Sequence, residues 1–418
     1  MSMGRRPAYS LLPSTAAEFS LKTGGHQLVR RAKRIPLSLL AKLSVAFAAL
    51  SIATMLFILQ PKIRVKWYFR PWIRPSQTIV PSSKQTPVLP LHGCFANQNA
   101  DSPYNRSVHT YYHTITSPVP LEDGLDCYDF AAMIKAPDWN DSSYPFRETI
   151  FHTYWRADLL PFGAKQLATI RSFFATQNPQ HTKVYLWSNG DLSDNENIKF
   201  IQQHVDPDRF QLRRFDAETF SVGTPIEGHP TLFHTNDEKA YLDGDLARLL
   251  LLYHYGGLWF DMDSMLIRDM TPLVEREWVL QWDCFMPYEY PYNGAYMHFF
   301  KQSPYLCEML ADIAENPIPQ KNTISWGSYL YLKTRRKLLH NRIQPFEVLP
   351  WCLTDPSVCS PENSMPSIFD VGLPQGAHQE WQERLKSVFA FHWHNQWDKT
   401  PGDVYYFLKD QVDAQLDW

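Results

Sequence analysis

Hydrophobic positions follow three different patterns along this chain. Between Leu37 and Leu59 they run almost unbroken, with Lys42 the single charge. That length matches the ~20 residues a helix needs to cross a hydrocarbon core. It exceeds the ~7–15 apolar residues of a cleaved leader, and the polar segment before it is too long for one. The run therefore predicts an uncleaved transmembrane signal anchor over 37–59, preceded by a tail over 1–36. A buried core helix is the alternative. Lys42 sits near one end, where its stem can carry the charge to the interface. From Gln60 to Pro145 no period is sustained, and Pro71, Pro75, Pro81, Pro87 and Pro90 punctuate the chain. This pattern predicts a Pro-rich stem over 60–145. Its later part, with Cys94 and Cys127, can equally be packed onto the following domain.

From Glu148 onward short apolar runs alternate with helical spacing. Thr149 to Tyr154 is β-prone, Ala164 to Thr176 is amphipathic, and Lys183 to Trp187 is a strand ending at Ser188-Asn189-Gly190. Asn195 to His204 reads as a helix. Alternation of this kind predicts an α/β domain over 146–418 with a mainly parallel, nucleotide-binding type of sheet. The densest stretch is YLDGDLARLLLLYHYGGLWFDMDSMLIRDM, from Tyr241 to Met270. Asp243 or Asp245 can cap a helix start. Leu246 to Tyr255 is a strong apolar helix, and Gly256-Gly257 supplies the left-handed residue that ends it. Leu258-Trp259-Phe260 is a buried strand, and Met265-Leu266-Ile267 resumes the apolar pattern. Asp261 and Asp263 fall at the strand's carboxyl end, where open α/β sheets bind ligands.

The length of 418 residues accommodates one large domain plus appendages. Aromatic residues make up 14%, which suits stacking on sugars or bases and equally suits an aromatic core. A net charge of −3 provides no basic surplus for nucleic acid. Positive charge is instead local to the apolar run. Arg30, Arg31, Lys33 and Arg34 precede it; Lys62, Arg64, Lys66, Arg70 and Arg74 follow it. Charge alone therefore does not choose an orientation. All six cysteines follow the run, and none is spaced Cys-X-X-Cys, which argues against a zinc ribbon. An even count suits disulfides in an oxidising lumen, with reduced core thiols as the alternative. Cys352 and Cys359 are close enough to close a short loop. Asn105-Arg106-Ser107 and Asn140-Asp141-Ser142 are glycosylation acceptors on the same side. Together these features place the large C-terminal part in the lumen.

A pair of carboxylates one residue apart has a specific use. A nucleotide sugar carries a diphosphate, and Mn²⁺ or Mg²⁺ neutralises it as the sugar–oxygen bond breaks. Such hard cations prefer carboxylate oxygens. A bare Asp-X-Asp is common as a pair of surface carboxylates. Directly after a Leu-rich helix, Gly-Gly and a buried strand, it is a ligand site. Asp245 and Arg248 share a helix face three residues apart. They form either a simple intrahelical ion pair or a pair aimed at the donor sugar and phosphates.

These residues resemble the DXD-containing sugar-binding region of glycosyltransferases related to the α-1,4-galactosyltransferases and the fungal α-1,6-mannosyltransferases of family 32. The shared pattern is Asp245, Arg248, a Leu-rich helix, Gly256, Gly257, Trp259, Asp261 and Asp263. Asn293-Gly294-Ala295 followed by Met297 resembles the segment that lines the sugar pocket. Trp326-Gly327 resembles the family's Trp-Gly, but Ser328-Tyr329-Leu330 replaces the Gly-Pro of the galactosyltransferase branch, so acceptor contacts do not carry over. Ala390-Phe391-His392-Trp393-His394-Asn395 resembles the C-terminal Ala-X-His…Asn segment, which suggests His392 as a third metal ligand, with His394 as rival.

The resemblance spans Glu148 to Asp398. It implies a GT-A fold, a metal-bound nucleotide-sugar donor with UDP-sugar preferred, a glycan or glycolipid acceptor, and a retaining outcome. It covers none of the anchor or stem; the anchor, cysteines and acceptors described above predict a single-pass type II protein, and the expected location is the Golgi membrane. Metal ligands would be Asp261, Asp263 and His392. Donor contacts would come from Asp245, Arg248, Asp261, Asn293 and Gly294, with Thr153 and Tyr154 at the end of the first strand facing the nucleoside. Asp245, Asp261 and Asp263 are the candidate catalytic residues, and no separate base or nucleophile is assigned. Two other readings compete. Phe260-Asp261-Met262-Asp263-Ser264 superficially fits a haloacid-dehalogenase phosphatase, but such domains begin with that motif. A non-catalytic lumenal sugar-binding protein would be expected to have lost Asp245, Arg248 or the Asp pair.

Overall fold

The computed structural model describes residues 37–59, 89–96, 98, 102, 104, 124–229, 233, 237–282, 291–357, 364–373 and 381–418. The chain divides into two units, 1–77 and 78–418. The first contains helix α1, Leu37–Leu59, on the predicted bounds. Its window Ala41–Ile58 has a mean hydropathy of 1.9 and no buried residue. By length and composition it can cross a membrane.

The second unit is α/β. Its helices are α2 (Gly124–Met133), α3 (Ala164–Thr176), α4 (Glu196–His204), α5 (Ala217–Ser221), α6 (Tyr241–Tyr255), α7 (Pro304–Glu315), α8 (Ser328–His340) and α9 (Asp403–Gln415). Its strands are β1 (Thr149–Trp155), β2 (Thr182–Ser188), β3 (Phe210–Arg214), β4 (Gly257–Phe260), β5 (Ser264–Leu266), β6 (Trp278–Gln281), β7 (Tyr292–Phe299), β8 (Glu347–Leu349) and β9 (Ala390–His392). Seven of these strands form one sheet in the order β3-β2-β1-β4-β7-β6-β8. The first four are parallel, whereas β7 runs against both β4 and β6. β5 and β9 form a separate antiparallel pair. This is the expected α/β, GT-A type of architecture: a parallel half that receives βα connections and an antiparallel half beside it.

Side chains alternate across the sheet as strand geometry requires. Val184 and Leu186 of β2 join Phe151, Leu258 and Phe260 in one core. Tyr185 and Trp187 face the other core with Trp259, Met297 and the leucines of α6. Asn195 caps α4 by accepting from the Asn197 and Ile198 amides. At the end of α6, Gly256 and Gly257 have φ of 69° and 102°. A Cβ on Gly257 would collide with the Ile150 carbonyl of β1, so this turn needs glycine for space as well as dihedral.

Two local expectations fail. The α6 helix starts at Tyr241, so Asp243 and Asp245 lie inside it and neither caps it. Buried Asp237 does that work from further upstream, accepting from the Leu242 amide at 2.6 Å. The cysteines pair over long range, Cys94 with Cys307 and Cys127 with Cys352, so the short Cys352–Cys359 loop does not form. Cys284 and Cys359 lie outside the described residues, as does the Asn105 acceptor. Asn140 is exposed.

Both disulfides reach into the segment read as stem. Phe95, Cys127, Tyr128 and Ala131 are buried in the two cores. Glu308 of α7 accepts from the His92, Gly93 and Cys94 amides at 2.8, 3.1 and 3.0 Å. The described stretches around 91–96 and 124–133 are therefore integral to the folded unit.

Candidate active site

Asp261 leaves the sheet at the carboxyl end of β4, and its amide donates to the Ala295 carbonyl at 2.8 Å. One carboxylate oxygen, Oδ1, accepts from Trp259 Nε1 at 2.7 Å and from Arg248 Nη2 at 3.1 Å. Arg248 also meets Asp245 Oδ1 at 3.4 Å, one helical turn earlier. The guanidinium carbon lies 5.3 Å from the Trp259 ring centre. The charges thus sit in sequence as Asp245, Arg248, Asp261, nearly out of water. Burial pushes the Asp245 carboxyl up to about 7, with Arg248 opposing. Burial likewise raises Asp261, again opposed by Arg248, and the neighbouring Asp263 carboxylate adds to the rise.

β7 brings the next residues in. Opposite β6 its register jumps between Val279 and Leu280, a bulge that sets Asn293, Gly294 and Ala295 beside the site. A side chain on Gly294 would strike the Arg248 guanidinium and stand 2.7 Å from the Tyr331 hydroxyl oxygen. Gly327 abuts the other side, where a Cβ would lie 2.9 Å from Asp245 Oδ2. The Asn293 side-chain oxygen accepts from the Ala295 amide at 2.9 Å, and its buried Nδ2 has no protein partner. That free donor is suited to a sugar hydroxyl.

Asp263 is buried two residues beyond Asp261. The β5–β9 pairing, with Ser264 opposite His392, fixes what it faces. His392 Nε2 lies 3.3 Å from Asp263 Oδ2. Asn395 donates its amide to the same carboxylate, and the Trp393 amide donates to the Asp263 carbonyl at 3.0 Å. His394 and Asn395 both hold φ of 56° to make this turn. For Asp263 burial acts upward, but His392 and the Asn395 amide outweigh it and hold the carboxyl below the ordinary range. For His392 burial acts downward, and Asp263 with Asp355 raises the imidazole well above its usual value.

One ligand atom from each of Asp261, Asp263 and His392 lies within 4.8 Å of the others. Two carboxylate oxygens and an imidazole nitrogen are a fitting donor set for Mn²⁺ or Mg²⁺. His394 Nε2 meets Asp355 Oδ1 at 2.9 Å, and His394 forms a second cluster with Asp355 and His392. Of the two rivals, His392 is the one that clusters with the Asp pair.

Thr153 and Tyr154 are placed by strand register. Two residues beyond the His152–Trp259 pairing come Tyr154 on β1 and Asp261 just past the end of β4. Thr153 is fully buried with a hydroxyl that has no protein partner, and Tyr154 packs on Phe215 at 5.5 Å between ring centres. They lie at the carboxyl edge of the sheet, as the Asp pair does.

Two further features are structural findings the sequence did not announce. Arg156, just past β1, pairs with Asp243 in the first turn of α6 and with Asp158 at 2.6 Å. Asp355 lies behind His392, on a loop with no motif.

Residues 164–280 match the family described as the glycosyltransferase sugar-binding region containing DXD motif, and Asp245, Arg248, Asp261 and Asp263 fall within that span. No curated protein matches the chain. Among solved structures the chain is similar to the glycosyltransferase GlyE of Streptococcus pneumoniae TIGR4, at 13% identity and a TM-score of 0.36, over 64% of this chain and 60% of that one. It is similar to the galactosyltransferase LgtC, solved with donor and acceptor sugar analogs, at 11% identity and a TM-score of 0.35, over 64% and 96%. It is also similar to mouse xyloside xylosyltransferase 1, at 12% identity and a TM-score of 0.35, over 60% and 99%. Residues 164–280 of this chain thus match a glycosyltransferase sugar-binding region, and Asp261-Met262-Asp263 is its DXD motif.

Proposed function

We propose that this chain is a glycosyltransferase that moves a hexose from a nucleotide sugar, a UDP-sugar by preference, to a hydroxyl of a glycan or glycolipid acceptor. The reaction is divalent-metal-dependent and retains the anomeric configuration. The observation that carries this reading is the meeting of Asp261, Asp263 and His392 within 4.8 Å, beside the Asp245–Arg248–Asp261 array.

A cation bound by Asp261, Asp263 and His392 would supply charge neutralisation to the leaving diphosphate. Arg248 fixes Asp261 through Oδ1, which would leave Oδ2 available to a bound cation. Asp245 and Asn293 would hold sugar hydroxyls, and Gly294 leaves room for the Arg248 guanidinium. The bond from the anomeric carbon to the diphosphate oxygen breaks, and a bond to the acceptor oxygen forms on the same face. The acceptor's proton passes to the departing phosphate oxygen, so no separate protein base is needed. Thr153 and Tyr154 lie at the strand end where the nucleoside would rest.

The same reading makes the protein a single-pass type II protein of the Golgi membrane. The tail over 1–36 is cytosolic, 37–59 is the anchor, and 146–418 is the catalytic domain; 60–145 supplies the stem, with its stretches around 91–96 and 124–133 packed into the catalytic domain. An apolar helix at Leu37–Leu59, two disulfides and an exposed Asn140 acceptor support that arrangement.

The test is a screen of UDP- and GDP-sugars for nucleotide release by the detergent-solubilised full chain with Mn²⁺. Turnover of one UDP-hexose, with the product's anomeric configuration read by NMR, is expected. Binding of free glycans without turnover of any donor would support the lumenal sugar-binding reading instead.

A further inference from the structure

The proposed cation site uses one ring nitrogen of His392, and the other has a partner of its own. His392 Nδ1 lies 3.5 Å from Asp355 Oδ2, while Nε2 faces Asp263. Asp355 is fully buried, and its second oxygen meets His394 Nε2 at 2.9 Å. Among the described residues these two imidazoles are its side-chain partners. A fully buried carboxylate requires such partners to remain charged.

The carboxylate is itself held from behind. The Asp355 amide donates to the Trp351 carbonyl at 2.8 Å, closing the turn Trp351–Leu353. The His392 amide donates to the Thr354 carbonyl at 3.1 Å, which ties that turn to β9. Cys352 in the turn is disulfide-bonded to Cys127 of α2. Tyr128, the next residue on α2, donates its hydroxyl to the Pro356 carbonyl at 3.1 Å. Asp355 is therefore fixed on both sides by backbone and by α2.

We propose that Asp355 is a positioning residue for the metal site. It accepts the Nδ1–H of His392, which selects the tautomer with a free Nε2 lone pair and holds the ring toward Asp261 and Asp263. A histidine that ligates through one nitrogen gains basicity and orientation when its other N–H donates to a carboxylate. His394 completes the satisfaction of Asp355 and stands outside the cluster that His392 forms with the Asp pair. This inference rests on the metal-site reading given above.

The test measures Mn²⁺ binding to the full chain in detergent by EPR of the free ion, with UDP present as the nucleotide. Asp355→Ala is expected to raise the Mn²⁺ Kd about 10–100-fold with the circular dichroism unchanged. Asp355→Asn keeps an acceptor without the charge and is expected to raise it about tenfold. If Asp355→Ala does not fold, Asp355→Asn decides alone. His394→Ala is expected to stay within about threefold, because His392 keeps its partner. Wild-type Mn²⁺ affinity in a folded Asp355→Asn overturns the inference, as does a His394→Ala loss equal to that of Asp355→Ala. Failure of the unmodified chain to bind Mn²⁺ would overturn the metal-site reading itself, and this inference with it.

Discussion

Arg248 Nη2 lies 3.1 Å from Asp261 Oδ1, and the same guanidinium lies 3.4 Å from Asp245 through Nη1. One buried cation thus fixes a buried carboxylate on a helix and a partly exposed one at a strand end. Removing it with Arg248→Ala takes the cation from both carboxylates and leaves Asp261 with the Trp259 Nε1–H, at a cost of about 3–5 kcal/mol. Thermal unfolding reads that loss. Arg248→Lys keeps the charge but loses the planar fork. It is expected to fold while turning over donor about 10–100-fold more slowly. Equal donor turnover in Arg248→Lys would show that the fork is not used.

Gly294→Ala tests the space left for Arg248. The new methyl group would meet the guanidinium and the Tyr331 hydroxyl, and both are buried. A destabilisation of about 1–3 kcal/mol is expected from such overpacking. UDP-sugar affinity measured by calorimetry should fall with it, whereas Mn²⁺ affinity should change less.

Stability should depend on pH through Glu277, which is distant from the Asp pair. Glu277 is buried at the start of β6 and accepts the Phe300 amide at 3.0 Å. Burial raises its carboxyl from 4.5 to about 7. The folded state therefore holds a proton that the unfolded state has released. The stability this provides is fully present below pH 4.5 and is lost as pH rises through about 7. At most it amounts to about 3 kcal/mol. Glu277→Gln, neutral throughout, should show a smaller fall in unfolding free energy between pH 5 and pH 8 than the unmodified chain. An unchanged pH dependence would assign the effect to other groups.

The Cys127–Cys352 disulfide closes a separation of 225 residues and anchors the turn before Asp355. Replacing both cysteines by serine should cost about 2–5 kcal/mol in denaturant unfolding. It should also weaken Mn²⁺ binding, through the looser turn. The Cys94–Cys307 pair closes 213 residues on the other core, and its double serine variant should cost similar stability. Its Mn²⁺ affinity should be unaffected.

Much of this was legible in the order of residues. Hydrophobic periodicity placed β1, α3, β2 and the α6–β4 unit within a few residues, because each buries a continuous face. The strand end that carries Asp261 and Asp263 followed from that placement. Other features depend on contacts that local pattern does not encode. The start of α6 is set by Asp237, five residues before the amide it receives, and by Ala240 at a φ of 56°. Cysteine pairing joins residues more than 200 apart, so spacing pointed to the wrong neighbour. Asp355 sits in Leu353-Thr354-Asp355-Pro356, which carries no motif. Its role emerges only when β9 brings His392 against it. The choice of His392 over His394 likewise needed the β5–β9 register.

The central claim is that the Asp261, Asp263 and His392 cluster serves a nucleotide sugar through a divalent cation. The most direct measurement is UDP release from UDP-hexoses by the full chain in detergent, with Mn²⁺, with EDTA, and with Asp263→Ala in Mn²⁺. The expected result is turnover with Mn²⁺ that EDTA abolishes and Mn²⁺ restores, reduced at least about 100-fold in a folded Asp263→Ala. Undiminished turnover in EDTA or in Asp263→Ala would contradict the account.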